Sequence, residues 1–178
     1  MLNVFRITCV LGLGALLSAC FTSDEPLYDV SMSSQPVAPG HYIAYEIDED
    51  GEYDLDEPWE GDVSYVDGIL HSDTENMPLE GALFRQLSGD IHAAFNATDD
   101  GDTVSYIVVF TYPDGRVFGH LPQCEGLTDE QVDLLGLIVE DHGTCKAENL
   151  ATLEEALMTY VSNNHEDIRG GVVLFPAD

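Results

Sequence analysis

The stretch TVSYIVVFTY, residues 103–112, is the longest run of strand-forming side chains in the chain. Its β-branched and aromatic residues would make both faces apolar, which is typical of a strand in the middle of a sheet. Shorter runs of the same character occur at 41–47, 63–72, 82–97 and 116–122. Turn-forming sequences separate them, namely Asp67-Gly68, Ser88-Gly89-Asp90, TDDGD at 98–102 and Pro113-Asp114-Gly115. Closely spaced strands and turns of this kind predict an antiparallel meander.

The apolar period changes after this region, in LTDEQVDLLGLIVEDHG, residues 127–143. Thr128 and Gln131 have the spacing of a capping box, which predicts that a helix begins here. One apolar face would be formed by Val132, Leu135, Ile138 and Val139. Gly143 is the expected stop, because glycine commonly ends a helix.

A second helix is predicted from about Leu150 to Ser162, with Asn149 as its N-cap. Its apolar face would contain Leu150, Leu153, Leu157, Tyr160 and Val161. The run GGVVLFPAD, residues 170–178, then predicts a last strand. The predicted fold class is therefore α+β, an antiparallel β-meander sheet with two C-terminal helices and a final strand.

The N-terminus carries a targeting pattern. Arg6 is followed by an apolar run over residues 7–17, which is the length of a secretory core and too short to span a bilayer. The next residues, Leu17-Ser18-Ala19-Cys20, resemble a bacterial lipobox. This resemblance implies that residues 1–19 are a lipoprotein signal peptide, that cleavage precedes Cys20, and that Cys20 carries a diacylglycerol. An ordinary signal peptide with a chance cysteine is the alternative.

The residues after Cys20 predict where the protein is sent and how it is held. The lipoprotein resemblance implies an outer-membrane destination facing the periplasm, because Phe21 replaces the aspartate that retains such proteins at the inner membrane. Residues 20–40 are rich in serine, proline and acids, and they predict a flexible tether carrying the lipid. A single α+β domain would then occupy residues 41–178.

The charge excludes one class of partner. The chain has 34 Asp+Glu and 5 Lys+Arg, and removing Arg6 with the signal peptide leaves four basic residues and a formal charge of −30. Such a chain repels polyanions, so nucleic acid is not an expected partner. The membrane would be engaged through the N-terminal lipid, and a further envelope protein is the other partner that we expect.

Four cysteines are present, and two remain after processing. Cys9 would leave with the signal peptide and Cys20 would carry the lipid. Cys124 and Cys145 then predict a disulfide, because the envelope is oxidising. The alternative is a redox or metal-binding pair, although the spacing is not that of a CxxC motif.

One acidic segment suggests a cation site. In the numbering of an EF-hand loop, acids stand at positions 1, 3, 5, 9 and 12, and Gly51 stands at position 6. These predicted ligands are Glu46, Asp48, Asp50, Asp54 and Glu57. Glu46 replaces the expected aspartate, and strand-like flanks replace the two helices. Ca²⁺ is thus the one cofactor that the sequence suggests, and an acidic hairpin loop without a bound ion is the alternative.

No catalytic motif is present in the sequence. It lacks Gly-x-Ser-x-Gly, HExxH and a glycine-rich phosphate loop, and its six histidines are dispersed. The sequence therefore identifies no catalytic residue. It favours a lipid-anchored binding or structural component of the envelope over a divalent-cation-binding module, and both over a small envelope hydrolase.

The body of the chain is similar to uncharacterised envelope lipoproteins of alphaproteobacteria. The similarity rests on Pro39-Gly40 with Tyr42, on Pro122 with Cys124, and on Cys145 ahead of the helix at Leu150. It supports the predicted order of elements and implies no activity.

Overall fold

The computed structural model describes residues 20–98, 101, 103–140 and 143–177, so the predicted signal peptide, residues 1–19, lies outside the described residues. The described part contains eleven strands: β1 Phe21–Ser23, β2 Gly40–Ile47, β3 Trp59–Val66, β4 Ile69–Ser72, β5 Ala82–Ser88, β6 Ile91–Asn96, β7 Val104–Thr111, β8 Val117–His120, β9 Ile138–Val139, β10 Cys145–Lys146 and β11 Gly171–Pro176. It also contains two α-helices, α1 Asp129–Leu135 and α2 Leu150–Asn164, and two short 3₁₀ helices, Val30–Met32 and Cys124–Gly126.

The strands form a mostly antiparallel sheet, which confirms the predicted α+β class. Eight of them follow the spatial order β4-β3-β2-β11-β8-β7-β6-β5. Strand β11, the last in the chain, lies between β2 and β8. Short strand β1 pairs with the first residues of β7 and in parallel with β10, which in turn pairs with β9.

The eight-stranded sheet curls until its two ends meet. The Gly81 amide, just before β5, donates to the Leu70 carbonyl of β4 at 2.9 Å. The concave face holds one buried cluster to which every one of these strands contributes: Val37, Tyr42, Ala44, Val63, Leu70, Met77, Ala82, Phe84, Ala94, Val109, Val117 and Leu174.

A second core lies on the outer face of the sheet, under α2 and β1. Phe21, Tyr106, Leu153 and Leu157 are all fully buried there. Strand β7 supplies both cores, because Val108 belongs to the outer cluster and Val109 to the inner one. This confirms that residues 103–112 provide a central strand with two apolar faces. Burying each valine contributes about 1.5 kcal/mol or more.

The first predicted helix is shorter than expected. The capping box of Thr128 and Gln131 is present, but α1 ends at Leu135 because Gly136 adopts a left-handed φ of 68°. Gly143 is therefore not the helix stop. Ile138 and Val139 form β9 and are 43% and 58% exposed, so their predicted place on a buried helix face is wrong. The second helix is confirmed, with Asn149 accepting from the Thr152 amide as N-cap.

The flexible tether predicted for residues 20–40 is also wrong. Phe21, Tyr28 and Val37 are at most 2% exposed, and the Ser34 amide donates to the Phe84 carbonyl at 2.8 Å. Their apolar surface is stabilised by burial, which outweighs the polar composition of the intervening residues. Residues 20–40 accordingly belong to the folded domain, together with residues 41–177.

Candidate functional site

The predicted lipid-bearing residue lies beside the disulfide. The Cys145 amide donates to the Cys20 carbonyl at 3.0 Å, and the Ala147 amide donates to the Thr22 carbonyl at 2.8 Å. Cys20 itself is 3% exposed. Its backbone is thus held by β10 at the residue that directly precedes β1.

Cys124 and Cys145 form a disulfide, as predicted, with their Cα atoms 5.3 Å apart. The bond joins the 3₁₀ helix that precedes α1 to β10 across a sequence separation of 21. A closed loop of this size stabilises the fold by about 3 kcal/mol.

Three exposed apolar side chains lie on the elements near these cysteines. Leu134 on α1 is 85% exposed, and Ile138 and Val139 on β9 are the two partly exposed residues described above. We call these three residues the apolar corner. Strand register connects it to the N-terminus, because Val139 pairs with Cys145 and Cys145 pairs with Phe21. Two strand spacings separate the corner from β1, about 10 Å.

The predicted cation loop, residues 46–57, folds back on itself in a tight acidic turn, which we call the acidic return. Ile47 forms a bridge with Tyr53, and Asp48 Oδ1 accepts from the amides of Asp50 and Glu52, each at 2.9 Å. That oxygen stabilises the turn, whereas in an EF-hand loop it would face the ion. Asp54 Oδ1 likewise accepts from the Asp56 amide at 3.0 Å.

Three of the five predicted ligands do come together. Glu46, Asp54 and Glu57 line a cavity of about 290 Å³ with Pro58 and Trp59, which we call the acidic cavity. Asp48 lines a neighbouring hollow and Asp50 lines neither. In the described ranges no group of three or more His, Cys, Asp or Glu side chains has the geometry to hold a metal ion. Ca²⁺ binding by this loop therefore stays a prediction.

Each of the described histidines contacts a different set of residues. His41 lies between Glu60 and Asp62, at 3.1 and 2.9 Å, and these hydrogen bonds raise its pKa. His71 contacts Glu80 at 3.1 Å. The arrangement brings no two of the histidines together as a common site.

Two other histidines are partly or fully inside the protein, and burial lowers the pKa of each. His92 Nδ1 lies 3.2 Å from Ser34 Oγ. His120 Nε2 lies 2.8 Å from the Tyr160 hydroxyl, and its Nδ1 lies 2.9 Å from the Gly170 carbonyl. The Ser34–His92 contact has no carboxylate in hydrogen-bonding contact with the imidazole among the described residues, so the orienting third group of a hydrolytic triad is missing there.

A groove on the outer face of β2, β11 and β8 has a different character, and we call it the aromatic groove. Its floor is formed by Ile47, Val173 and Phe118, and its volume is about 220 Å³. Tyr53 and Gly51 of the acidic return form one wall. Ile168 closes one end.

The opposite wall of the aromatic groove carries positive charge. Arg116 lies over the Tyr112 ring at 5.0 Å and contacts the Asp114 carboxylate at 2.7 Å. The hydrogen bond from the Arg116 amide is the largest cause that lowers the pKa of Asp114, and the guanidinium of Arg116 adds to it. Arg169 lines the groove as well, and no carboxylate in the described part of the chain lies within 4.0 Å of it. The lining contains two arginines and no acid.

Local conformation creates this groove from distant residues. Tyr53 reaches it because it packs on Tyr45 and Phe175, with ring centroids 6.2 and 6.1 Å away. Gly171 begins β11 at φ 143°, and a Cβ atom there would collide with the Gly119 carbonyl oxygen of β8. The absence of that side chain lets β11 and β8 close the groove floor.

Arg85 forms an ion pair with Glu154 at 2.6 Å, and Arg116 forms one with Asp114. The sequence analysis did not identify the aromatic groove. A signal was available, since Arg116 and Arg169 are two of only four basic residues after Arg6. Their common location could not be read from residue spacing.

Comparisons with known proteins give no match to any protein family, to any curated protein or to any solved structure. Among the described residues, no helix has both the length and the apolar character needed to cross a membrane.

Proposed function

We propose that the protein is a lipoprotein of the bacterial cell envelope that is held against the membrane by a lipid on Cys20 and acts by binding. The observation that carries this proposal is the position of Cys20. It directly precedes β1, which strand pairing through β10 connects to Val139 of the apolar corner, so a lipid attached to it would lie close to these apolar side chains. The four residues that end at Cys20 support the same conclusion, since Leu17-Ser18-Ala19-Cys20 resembles a lipobox.

The disulfide supports export. Disulfides persist in oxidising compartments and are rare in the bacterial cytosol. The bond between Cys124 and Cys145 fits a periplasmic location, and it fixes β10 and therefore the strand next to Cys20. The outer membrane is the proposed destination, because Phe21 follows the lipid-bearing cysteine.

The packing of residues 20–40 changes how the anchor works. Because these residues belong to the fold, no linker separates the lipid from the domain. The diacylglycerol would then hold the apolar corner at the membrane surface. Leu134, Ile138 and Val139 would enter the headgroup region, where burial of apolar surface adds to the binding by the lipid.

Mass spectrometry of the membrane fraction tests the anchor. We expect a mature chain that starts at Cys20 with lipid on its sulfur, and Cys20→Ala should leave an uncleaved or soluble chain. Cys9→Ala is the matched control, because it removes a cysteine from the signal peptide and leaves the lipobox intact. A wild-type chain found soluble with another N-terminus would refute the proposal.

Fluorescence quenching tests the orientation. Trp59 is the only tryptophan, so Trp59→Phe combined with Leu134→Trp places one probe at the apolar corner. Brominated lipids should quench this probe in reconstituted vesicles. The matched control is Trp59→Phe with Val66→Trp, since Val66 is 53% exposed at the far end of β3. Equal quenching of both probes would contradict a membrane-facing corner.

Sorting should be measured on the wild-type chain by separating inner and outer membranes. The usual substitution, Phe21→Asp, is unsuitable because Phe21 is fully buried and packs edge-on against Tyr160 at 6.1 Å. A carboxylate there would be buried without a partner, which destabilises the fold by several kcal/mol. Recovery in the inner membrane alone would overturn the outer-membrane destination.

A further inference from the structure

We propose that the aromatic groove binds a small aromatic carboxylate. This inference rests on the binding role proposed above and names the class of ligand. Its basis is the combination of two arginines, exposed tyrosine rings and an apolar floor in one cavity of about 220 Å³.

The charge of the lining selects an anion. The chain has 34 Asp+Glu and only 5 Lys+Arg, yet the groove contains Arg116 and Arg169 without a lining carboxylate. Arg169 is exposed, so its guanidinium can bind a carboxylate through two parallel hydrogen bonds. Arg116 is 40% exposed beside Asp114 and contributes a second positive charge at the opposite wall.

The shape and polarity of the groove select a flat apolar body. Tyr53 and Tyr112 are 45% and 40% exposed, so parts of both rings are available to a ligand. Phe118 on the floor is itself stacked on Phe110, with centroids 6.0 Å apart, which holds its ring in place. An aromatic ligand placed on such a surface gains burial and ring–ring contact.

Other anions fit less well. A sugar acid would direct several hydroxyl groups at Ile47, Phe118 and Val173, which offer no hydrogen bonds. A polyanion would be repelled by the formal charge of −30 on the mature chain. A small ligand avoids most of this repulsion, because charges beyond about 8 Å are screened at physiological salt.

Calorimetric titration with naphthoate tests the proposal. The protein is isolated after expression of the full chain, in the processed form that the cell yields, and empty micelles of the same nonionic detergent provide the blank. We expect saturable one-to-one binding that weakens as salt rises. Naphthamide keeps the ring and removes the charge, and cyclohexanol keeps neither, so both should bind at least about tenfold more weakly.

Two substitutions with opposite effects locate the site. Arg169→Gln should weaken naphthoate binding about tenfold, because it removes the charge-assisted hydrogen bonds. Asp114→Asn should strengthen binding, since it removes the carboxylate that competes for Arg116. Asp133→Asn is the matched control for charge, because Asp133 is exposed on α1 and does not line the groove.

Thermal unfolding of each variant establishes that it is folded before its binding is interpreted. No saturable binding of naphthoate at millimolar concentration would overturn the proposal, as would equal affinity for naphthamide. An unchanged affinity in folded Arg169→Gln would also overturn it. The lipid anchor is tested separately by the N-terminal mass. A groove that does not bind naphthoate would therefore leave the test of the anchor unaffected.

Discussion

The two sides of the acidic return, residues 46–57, face opposite chemical environments. On one side Glu46, Asp54 and Glu57 surround the acidic cavity. On the other side Tyr53 and Ile47 belong to the aromatic groove, whose charged side chains are arginines. The net charge of −29 for the whole chain therefore describes the acidic cavity but not the aromatic groove. Local placement of a few residues determines which ions each cavity attracts.

The largest effect on stability is expected from filling the narrow space between β11 and β8, the strands that form the floor of the aromatic groove. Gly171→Ala places a Cβ against the Gly119 carbonyl and strains a backbone at φ 143°. We expect it to lower the free energy of unfolding by about 3 kcal/mol or more, as measured by urea titration.

Gly51→Ala is the control on the other wall of the groove. Gly51 has a φ of 84°, but nothing lies within 4 Å of an added Cβ. The cost should therefore be limited to backbone strain, about 1 kcal/mol. Similar losses for Gly51→Ala and Gly171→Ala would show that the β11–β8 contact is not specially tight.

A smaller effect is expected from salt on the acidic side. Eleven acids and no Lys or Arg lie between Glu46 and Asp67, so this segment repels itself. Screening shortens the Debye length from about 10 Å at 0.1 M salt to about 3 Å at 1 M. NaCl should raise the melting temperature by several degrees, because each kcal/mol gained in unfolding free energy raises it by about 2–4 °C. The double variant Asp54→Asn/Glu57→Gln should gain less than wild type.

Calcium distinguishes screening from a specific site on that side. With NaCl at about 0.5 M, where screening is nearly complete, we expect no further saturable rise of the melting temperature with Ca²⁺. The Asp48 carboxylate already accepts two backbone amides, which removes a ligand from the loop. Micromolar one-to-one Ca²⁺ binding that disappears in Asp48→Asn/Asp50→Asn would contradict this and support the cation-binding module.

The smallest expected effect is on the pH dependence of stability, to which two histidines should contribute in opposite directions. His120, in the row of rings behind the groove, has a pKa lowered by burial. The unfolded chain therefore takes up a proton near pH 6.5 that the folded chain resists, so stability falls as pH drops below about 6.5 toward the folded pKa. His120→Gln should show a smaller loss of unfolding free energy between pH 7 and pH 5 than wild type.

His41, between the acids at Glu60 and Asp62, titrates in the opposite sense. Its raised pKa means that its contribution is fully present below the unfolded pKa and is lost as pH rises through the higher folded pKa. His41→Gln should therefore lose stability at low pH relative to neutral pH, compared with wild type. Parallel pH profiles for His41→Gln and His120→Gln would contradict the assigned environments.

Much of the sheet was predictable because its signals are local. Asp67 and Gly68 adopt left-handed φ values of 51° and 85°, as the hairpin turn requires. Residues 103–112 have the continuous apolar pattern of a buried strand. The end of α1 was mispredicted because the apolar spacing continues past Gly136, although the backbone does not. Phe21 and Tyr28 were overlooked because their burial depends on partners far along the chain.

The aromatic groove depends even more strongly on long-range contacts. Its floor combines β2, β8 and β11, which are adjacent in the sheet and widely separated in sequence. The disulfide was predictable for a different reason, because Cys124 and Cys145 are the two cysteines that the predicted processing would leave, and they need only an oxidising compartment. Residue type could identify that pair, whereas Arg116 and Arg169 become a site only through topology.

Chemical-shift mapping with naphthoate compares the two sides of the acidic return in a single titration. We expect shifts of the backbone amides of Tyr112, Phe118 and Val173, which line the aromatic groove, with one saturation curve for all three. The amides of Asp54, Glu57 and Trp59 at the acidic cavity should not follow that curve. Shifts centred on the acidic cavity, or small shifts spread over the whole surface, would contradict the account.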